Sequence, residues 1–257
     1  MARTRVLESL SGGTRRFSLE VIPPLRGGDM ESIIRAVESA MPWQPAFVSI
    51  TDHAKAPARI GDGQGEGIAR PRPGTLGTAV AIRERFEVST VPHLVALGAD
   101  RLSMEDLLID LQWSGFQDLF VVRGDDLNRS PETEEECRGG GRDSYRTALD
   151  LVRHIADLNA GRYSPPVEGK PTTFVVGVAG YPEKHIAAPD FGDDMDRLVE
   201  KLDAGASFII TQMVFDARHY RRFVQELRRR GYSTPVIPGL KPILRRSSLD
   251  QKCRGNG

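Results

Sequence analysis

Seven short runs rich in β-branched and aromatic residues recur along the chain, near 16–22, 46–51, 88–95, 117–123, 173–180, 207–214 and 234–240. Several are apolar on both alternations, the pattern of strands covered on both faces. Amphipathic helical patterns separate them. Met30, Ile33, Ile34 and Val37 fall at i, i+3, i+4 and i+7, as do Met104, Leu107, Leu108 and Leu111; Met195, Leu198, Val199 and Leu202; and Tyr220, Phe223, Val224 and Leu227. Weaker patterns over 75–86 and 144–159 supply further helices. Asp29 and Ser103 suit N-caps, and Gly115 and Gly231 suit the positions just past helix ends. This alternation requires parallel strands joined by right-handed crossovers, in a barrel or an open doubly wound sheet. The turn after the first run is PPLRGG (23–28), not a G-x-G-x-x-G loop, and prolines cannot donate the amides of a phosphate cradle. A (β/α)8 TIM-type barrel is therefore the preferred α/β architecture, as a single domain over residues 1–257. Only seven strands are recognisable, because 244–257 is polar and irregular, so the eighth βα unit is expected to be missing.

Thirty-five basic residues balance thirty-five acidic ones, so no overall field favours nucleic acid or an anionic membrane. The basic clusters 221–222 and 228–230 read as a solvated helix face. Cys137 and Cys253 form no CxxC pair and no His cluster accompanies them, so no metal site is expected and a reduced cytoplasmic setting fits. Residues 1–13 contain no apolar signal core, and no apolar run approaches the roughly 18 residues of a membrane span. Two Gly/Pro- and charge-rich insertions, 52–74 and 126–143, follow strands and read as long βα loops.

Five of the apolar runs carry polar residues at or near their carboxyl ends, where ligand chemistry sits in α/β proteins. VVRGD (121–125) places Arg123 and Asp125 there. Glu20 lies in an apolar strand, where burial would raise its pKa toward that of a general acid; a buried structural salt bridge is the competing reading. His93 is a ligand-facing residue or a hydrogen-bonded core histidine. Thr211 and Gln212 offer neutral donors and acceptors for the amide edge of a heterocycle. YPEKH (181–185) offers an aromatic face and basic groups, a seat for a flavin or nucleotide or simply a loop. No nucleophile elbow or Ser/His/Asp ordering stands out.

The runs FSLEVIPP (17–24), FVSIT (47–51), VPHL (91–94), VVRGD (121–125), GVAGYPEKH (177–185), KLDAGASFIITQMVFD (201–216) and VIPGLKPI (236–243) stand in the order found in the methylenetetrahydrofolate reductase family, which the chain resembles. The resemblance implies an FAD-containing barrel in which NADH or NADPH reduces the flavin and hydride then passes to methylenetetrahydrofolate. By motif position Glu20 looks like the general acid and Asp125 like the carboxylate near flavin and pterin. Gln212 resembles the residue that orients folate and nicotinamide. The implied flavin-binding positions are Thr51, His93, Arg123, Asp125, Tyr145, Tyr181, His185, Asp194, Arg197 and Lys201. The implied partners are the folate and the nicotinamide nucleotide, with a homo-oligomer left open. An alternative from another class is a truncated, catalytically silent barrel that binds a flavin or a partner. A proline dehydrogenase-like flavin barrel fits GVAGYPEKH and ITQMVFD poorly.

Overall fold

The computed structural model describes residues 6–11, 16–52, 56–60, 65–69, 71–124 and 144–242, with the segments 56–60 and 65–69 described by their backbone. Asp125, the insertion 126–143, both cysteines and the tail 244–257 lie outside the described residues. Contacts divide the chain into two compact units, Met1–Val176 and Gly177–Gly257.

In chain order the strands are β1 (Leu19–Val21), β2 (Val48–Ile50), β3 (Ala56–Ile60), β4 (Gly65–Ala69), β5 (Thr90–Val95), β6 (Asp118–Val122), β7 (Arg162–Tyr163), β8 (Val167–Glu168), β9 (Val175–Gly180), β10 (Ala206–Met213) and β11 (Val236–Gly239). Seven of them form one sheet in the order β1-β2-β5-β6-β9-β10-β11. All seven coincide with the apolar runs. An open doubly wound sheet reverses its strand order at a switch point, whereas here neighbours follow chain order throughout, as in barrel-type folds. In the first unit the pairings are parallel, with Leu19 opposite Val48, Ser49 opposite Val91 and Leu94 opposite Val121. In the second unit β10 and β11 are parallel, with an irregularity between Ile210 and Met213.

The central strands are apolar on both alternations because both faces are covered. Val48, Ile50, Val91, Leu94, Leu119 and Val121 are all fully buried. The helices use their predicted stripes: Ile33, Ile34 and Val37 are buried on Glu31–Ala40, Met195, Leu198 and Leu202 on Phe191–Asp203, and Phe223 and Leu227 on Ala217–Arg229. Gly115 and Gly231 follow the helix ends with φ +77° and +92°, a conformation that costs an L side chain strain and glycine nothing.

Several expectations are corrected. Ser103 is not an N-cap: helix Arg101–Trp113 is capped by Asp100, whose carboxylate accepts from the Ser103 N–H at 2.9 Å. Three residues of helix precede the apolar stripe, and the stripe alone places the start too late. At Glu31–Ala40 the N-cap residue is Met30, and Asp29 accepts the Glu31 N–H from one position further out. The insertion 52–74 is not wholly irregular, since β3 and β4 form an antiparallel hairpin with Ala56 opposite Ala69 and Ile60 opposite Gly65. The short β7–β8 hairpin and helix Val6–Ser11 have no signal in the periodicity; the Val6 N–H reaches the buried Asp118 carboxylate at 3.4 Å.

Replacing Asp100 by alanine leaves a first-turn amide without its acceptor and is expected to cost about 1 kcal/mol, while Ser103→Ala stays within about 0.5 kcal/mol of the parent. Urea unfolding of the two variants checks the assignment; equal losses would overturn it.

Candidate functional site

In the first unit the strand exits hold the predicted residues in two different ways. The ladder between β1 and β2 continues one bond past the strands, where the Thr51 N–H donates to the Val21 carbonyl at 2.9 Å. That bond brings the Thr51 hydroxyl to Glu20, and it donates to Oε1 at 2.6 Å. Glu20 is exposed, not buried, and it makes neither the desolvated carboxyl nor the buried salt bridge expected of it. Alternation along β1 turns Glu20 away from the face on which its neighbour Val21 is buried.

His93 is buried on β5 opposite Phe120, with ring centroids 4.7 Å apart and planes tilted by 52°. Its carbonyl accepts the Thr75 hydroxyl at 3.1 Å, which ties the preceding helix, Thr75–Phe86, to the strand. Arg123 leaves β6, and its carbonyl accepts the Leu97 N–H at 2.9 Å. Asp52, which the sequence reading passed over, accepts the Val95 N–H at 3.4 Å and so ties the β2 exit to the end of β5. Tyr145 follows Ser144, which bridges Asp100. It is buried, and its hydroxyl bonds His154 Nδ1 in the interior.

In the second unit the exit of β9 and the helix Phe191–Asp203 converge. Lys184 adopts φ +104°, rare for a residue with a side chain, and is held there by its N–H to the Tyr181 carbonyl (3.1 Å) and its ammonium to the Ala188 carbonyl (2.7 Å). The turn sets the Tyr181 ring edge-on to His185, centroids 4.6 Å apart. The His185 N–H donates to Asp194 at 3.1 Å, and its Nδ1 accepts the Ala187 N–H at 3.1 Å, so a neutral ring carries its proton on Nε2.

Asp194 is buried, and burial raises its pKa against the opposing pull of the His185 N–H, Lys201, the His185 ring and Arg197. Lys201 is half-buried as a residue, its ammonium donates to the Ala179 carbonyl at 3.0 Å, and burial lowers its pKa to about 8 although Asp194 opposes the shift. Both partners are thus pushed toward their neutral forms: each attracts the other, but not enough to replace water. Such an under-compensated ammonium gains from an incoming anion. Arg197 is exposed on the same helix. Gln212 is exposed at the irregularity in β10, and its Oε1 accepts the next N–H, that of Met213, at 2.9 Å. Thr211, beside it, is buried, and its hydroxyl donates to the Gln212 carbonyl and accepts the Gly239 N–H.

A parallel α/β protein of the barrel type, with acidic, basic and aromatic groups set at its strand exits, is the class that fold and site define. Its sequence matches the profile of the family described as methylenetetrahydrofolate reductase over residues 5–254, and the chain belongs to that family. Methylenetetrahydrofolate reductase 1 of Schizosaccharomyces pombe is 27% identical over 242 residues, covering 94% of this chain and 35% of the relative. The 5,10-methylenetetrahydrofolate reductase of Pectobacterium carotovorum is 30% identical over 232 residues, covering 90% of this chain and 65% of the relative. The chain therefore spans about a third of the yeast relative and less than two thirds of the bacterial one. Among solved structures, an uncharacterised protein from Clostridium thermocellum that binds two copies of 5-methyl-5,6,7,8-tetrahydrofolic acid shares the fold, with a TM-score of 0.58 and 14% identity over 98% of this chain and 74% of that one. So does a 2,3-dimethylmalate lyase, with a TM-score of 0.54 and 11% identity over 97% of this chain and 75% of that one.

Asp194→Asn removes the one charge among the described residues that supports protonation of Lys201, so the lysine should titrate below about 8 in the variant. The Lys201 Nζ or Cε resonance followed against pH measures this; an unchanged midpoint would show that Asp194 does not act on the ammonium.

Proposed function

We propose that the chain is an FAD-dependent oxidoreductase that passes hydride from NADH or NADPH to methylenetetrahydrofolate, giving methyltetrahydrofolate. The family match along residues 5–254 carries this reading. Relatives described as NADH- and as NADPH-dependent methylenetetrahydrofolate reductases support a nicotinamide reductant, and the methyltetrahydrofolate bound by the structurally similar Clostridium thermocellum protein supports a folate.

The residues of the second unit fit a dinucleotide flavin. Its pyrophosphate is a dianion that would meet the buried Lys201 ammonium, with Arg197 on the same helix, while Tyr181 and His185 present aromatic surface. Thr51, His93 and Arg123 are the residues of the first unit assigned to the same group. The chemistry such a group supplies when bound is reversible storage of two electrons as hydride. Glu20 gives a proton to the folate nitrogen that leaves as the bridged ring opens. The Thr51 hydroxyl bonded to Oε1 holds the carboxyl in one orientation and leaves Oε2 for that work. Asp125 supplies a negative charge that disfavours an anionic reduced flavin and accepts from the pterin. Gln212, at the β10 irregularity, offers an amide that can both donate and accept, and so can serve folate and nicotinamide in turn.

The visible absorption spectrum of the purified chain tests the cofactor directly; a folded, colourless preparation that takes up no FAD on titration would count against it. Glu20→Gln is expected to leave reduction of the bound flavin by the nicotinamide nearly intact and to slow the folate half-reaction by about 10²–10⁴-fold. Equal losses in both half-reactions would assign Glu20 to structure.

FAD affinity should also depend on pH. Lys201 is charged below about 8 and neutral above it, and an anion beside it raises its pKa. Affinity is therefore level below about pH 8 and falls as pH rises beyond it, and Lys201→Met should both weaken binding at pH 7 and abolish the slope. Equilibrium titration at a series of pH values reads both.

A further inference from the structure

Behind the strand exits of the first unit, three polar side chains form a buried chain. Glu105, on helix Arg101–Trp113, is 4% exposed; His154, on helix Ala148–Asn159, is 5% exposed; and Tyr145 is 1% exposed. His154 Nε2 lies 2.7 Å from Glu105 Oε2, and the Tyr145 hydroxyl bonds His154 Nδ1. The Ser164 N–H donates to both carboxylate oxygens of Glu105, at 3.0 and 3.3 Å. One tautomer satisfies every group. With the imidazole proton on Nε2, that nitrogen donates to the carboxylate and Nδ1 accepts the phenol. The Arg101 guanidinium stacks over the Tyr145 ring at 4.9 Å from its centroid.

Apolar side chains of the same volume would fill this space without the desolvation cost of three polar groups. What the chain adds is orientation, and the main chain of Tyr145 shows where it is used. Tyr145 donates to the Ala99 carbonyl and accepts from the Gly98 N–H, both at 3.2 Å, which closes it onto the turn that leaves β5. That turn, with Gly98 at φ +70°, is bonded in its own right to the exit of β6: the Ala96 N–H donates to the Val122 carbonyl at 3.0 Å and the Leu97 N–H to the Arg123 carbonyl at 2.9 Å. Hydrogen bonds, joined through the covalent frame of Tyr145 and of Leu97–Gly98, connect Glu105 through His154 and Tyr145 to the backbone of Arg123.

We propose that Glu105 and His154 are positioning residues, acting through Tyr145 on the β5 exit turn to hold Arg123 for the anionic cofactor. The assignment of Arg123 to that cofactor rests on the FAD reading above; the mechanical part, a side-chain chain that orders residues 96–99 and 123, does not.

The test uses the full chain with His154→Leu, which keeps the volume and removes both bonds, and His154→Gln, whose amide can accept from the phenol and donate to the carboxylate. Amide hydrogen exchange is followed at Leu97, Gly98 and Tyr145, with Glu87 on a separate helix end as the control, and FAD binding is titrated in parallel. His154→Leu is expected to speed exchange at the three amides by about tenfold or more over the control and to weaken FAD binding by about tenfold, and His154→Gln to recover most of both. If His154→Leu fails to fold, Tyr145→Phe, which removes only the hydroxyl and keeps the ring under Arg101, is read in the same way. Unchanged exchange at the three amides, a uniform increase that includes Glu87, or a glutamine variant as impaired as the leucine one would each overturn the proposal. If the parent binds no FAD, the cofactor reading fails by itself, and the exchange pattern still decides whether the chain positions the exits.

Discussion

Parallel pairing of strands covered on both faces is the constraint on which the rest of the structure depends. Val48, Ile50, Val91, Leu94, Leu119 and Val121 are all withdrawn from solvent, so the middle of a strand has little room for an unpaired polar side chain. Parallel order also brings paired strands to their carboxyl ends on the same edge, as in β1 beside β2 and β10 beside β11. Polar residues are thereby displaced toward the exits, where Thr51, Arg123 and Gln212 stand, while Glu20, the middle residue of β1, is exposed. The buried His93 is admitted to the interior of β5 in ring contact with Phe120.

Charge is buried in two ways, and the difference is chemical. Glu105 and His154 belong to a chain in which each donor meets an acceptor, which suits a rigid support. Asp194 and Lys201 lack that closure, and burial drives both toward neutrality. A support gains from completeness, whereas a binding site gains from a deficit that a ligand removes.

The basic run on the last described helix has a local explanation. Arg229 and Arg230 both bond Glu226, whose carboxyl is drawn down to about 2 by those hydrogen bonds, and Arg230 also pairs with Asp196. Arg228 donates to the Tyr232 and Thr234 carbonyls beyond the helix end. The Arg228 guanidinium thus closes the turn into β11, and the outward Arg229 pair with Glu226 adds little stability.

Periodicity and punctuation along the chain were enough to determine the seven strands, the helices between them and the glycines that end two of those helices. These depend on local pattern: two covered faces for a strand, one stripe for a helix, and a positive φ after its last turn. The positions of Thr51, Arg123 and Gln212 at or near strand ends were legible too, because the ends of the apolar runs could be read. Whether a side chain at an exit is buried was not legible, since that depends on strand length and on what lies opposite; Glu20 turned out exposed and Tyr145 enclosed. The Asp100 cap, the hairpin of β3 and β4, and the path from Glu105 through His154 to Tyr145 were likewise decided by tertiary structure. Glu105 and His154 are 49 positions apart, on helices whose apolar stripes are the only feature periodicity can read. A hydrogen bond across that separation exists only once packing has brought the two helices together, which is why no local pattern announces it.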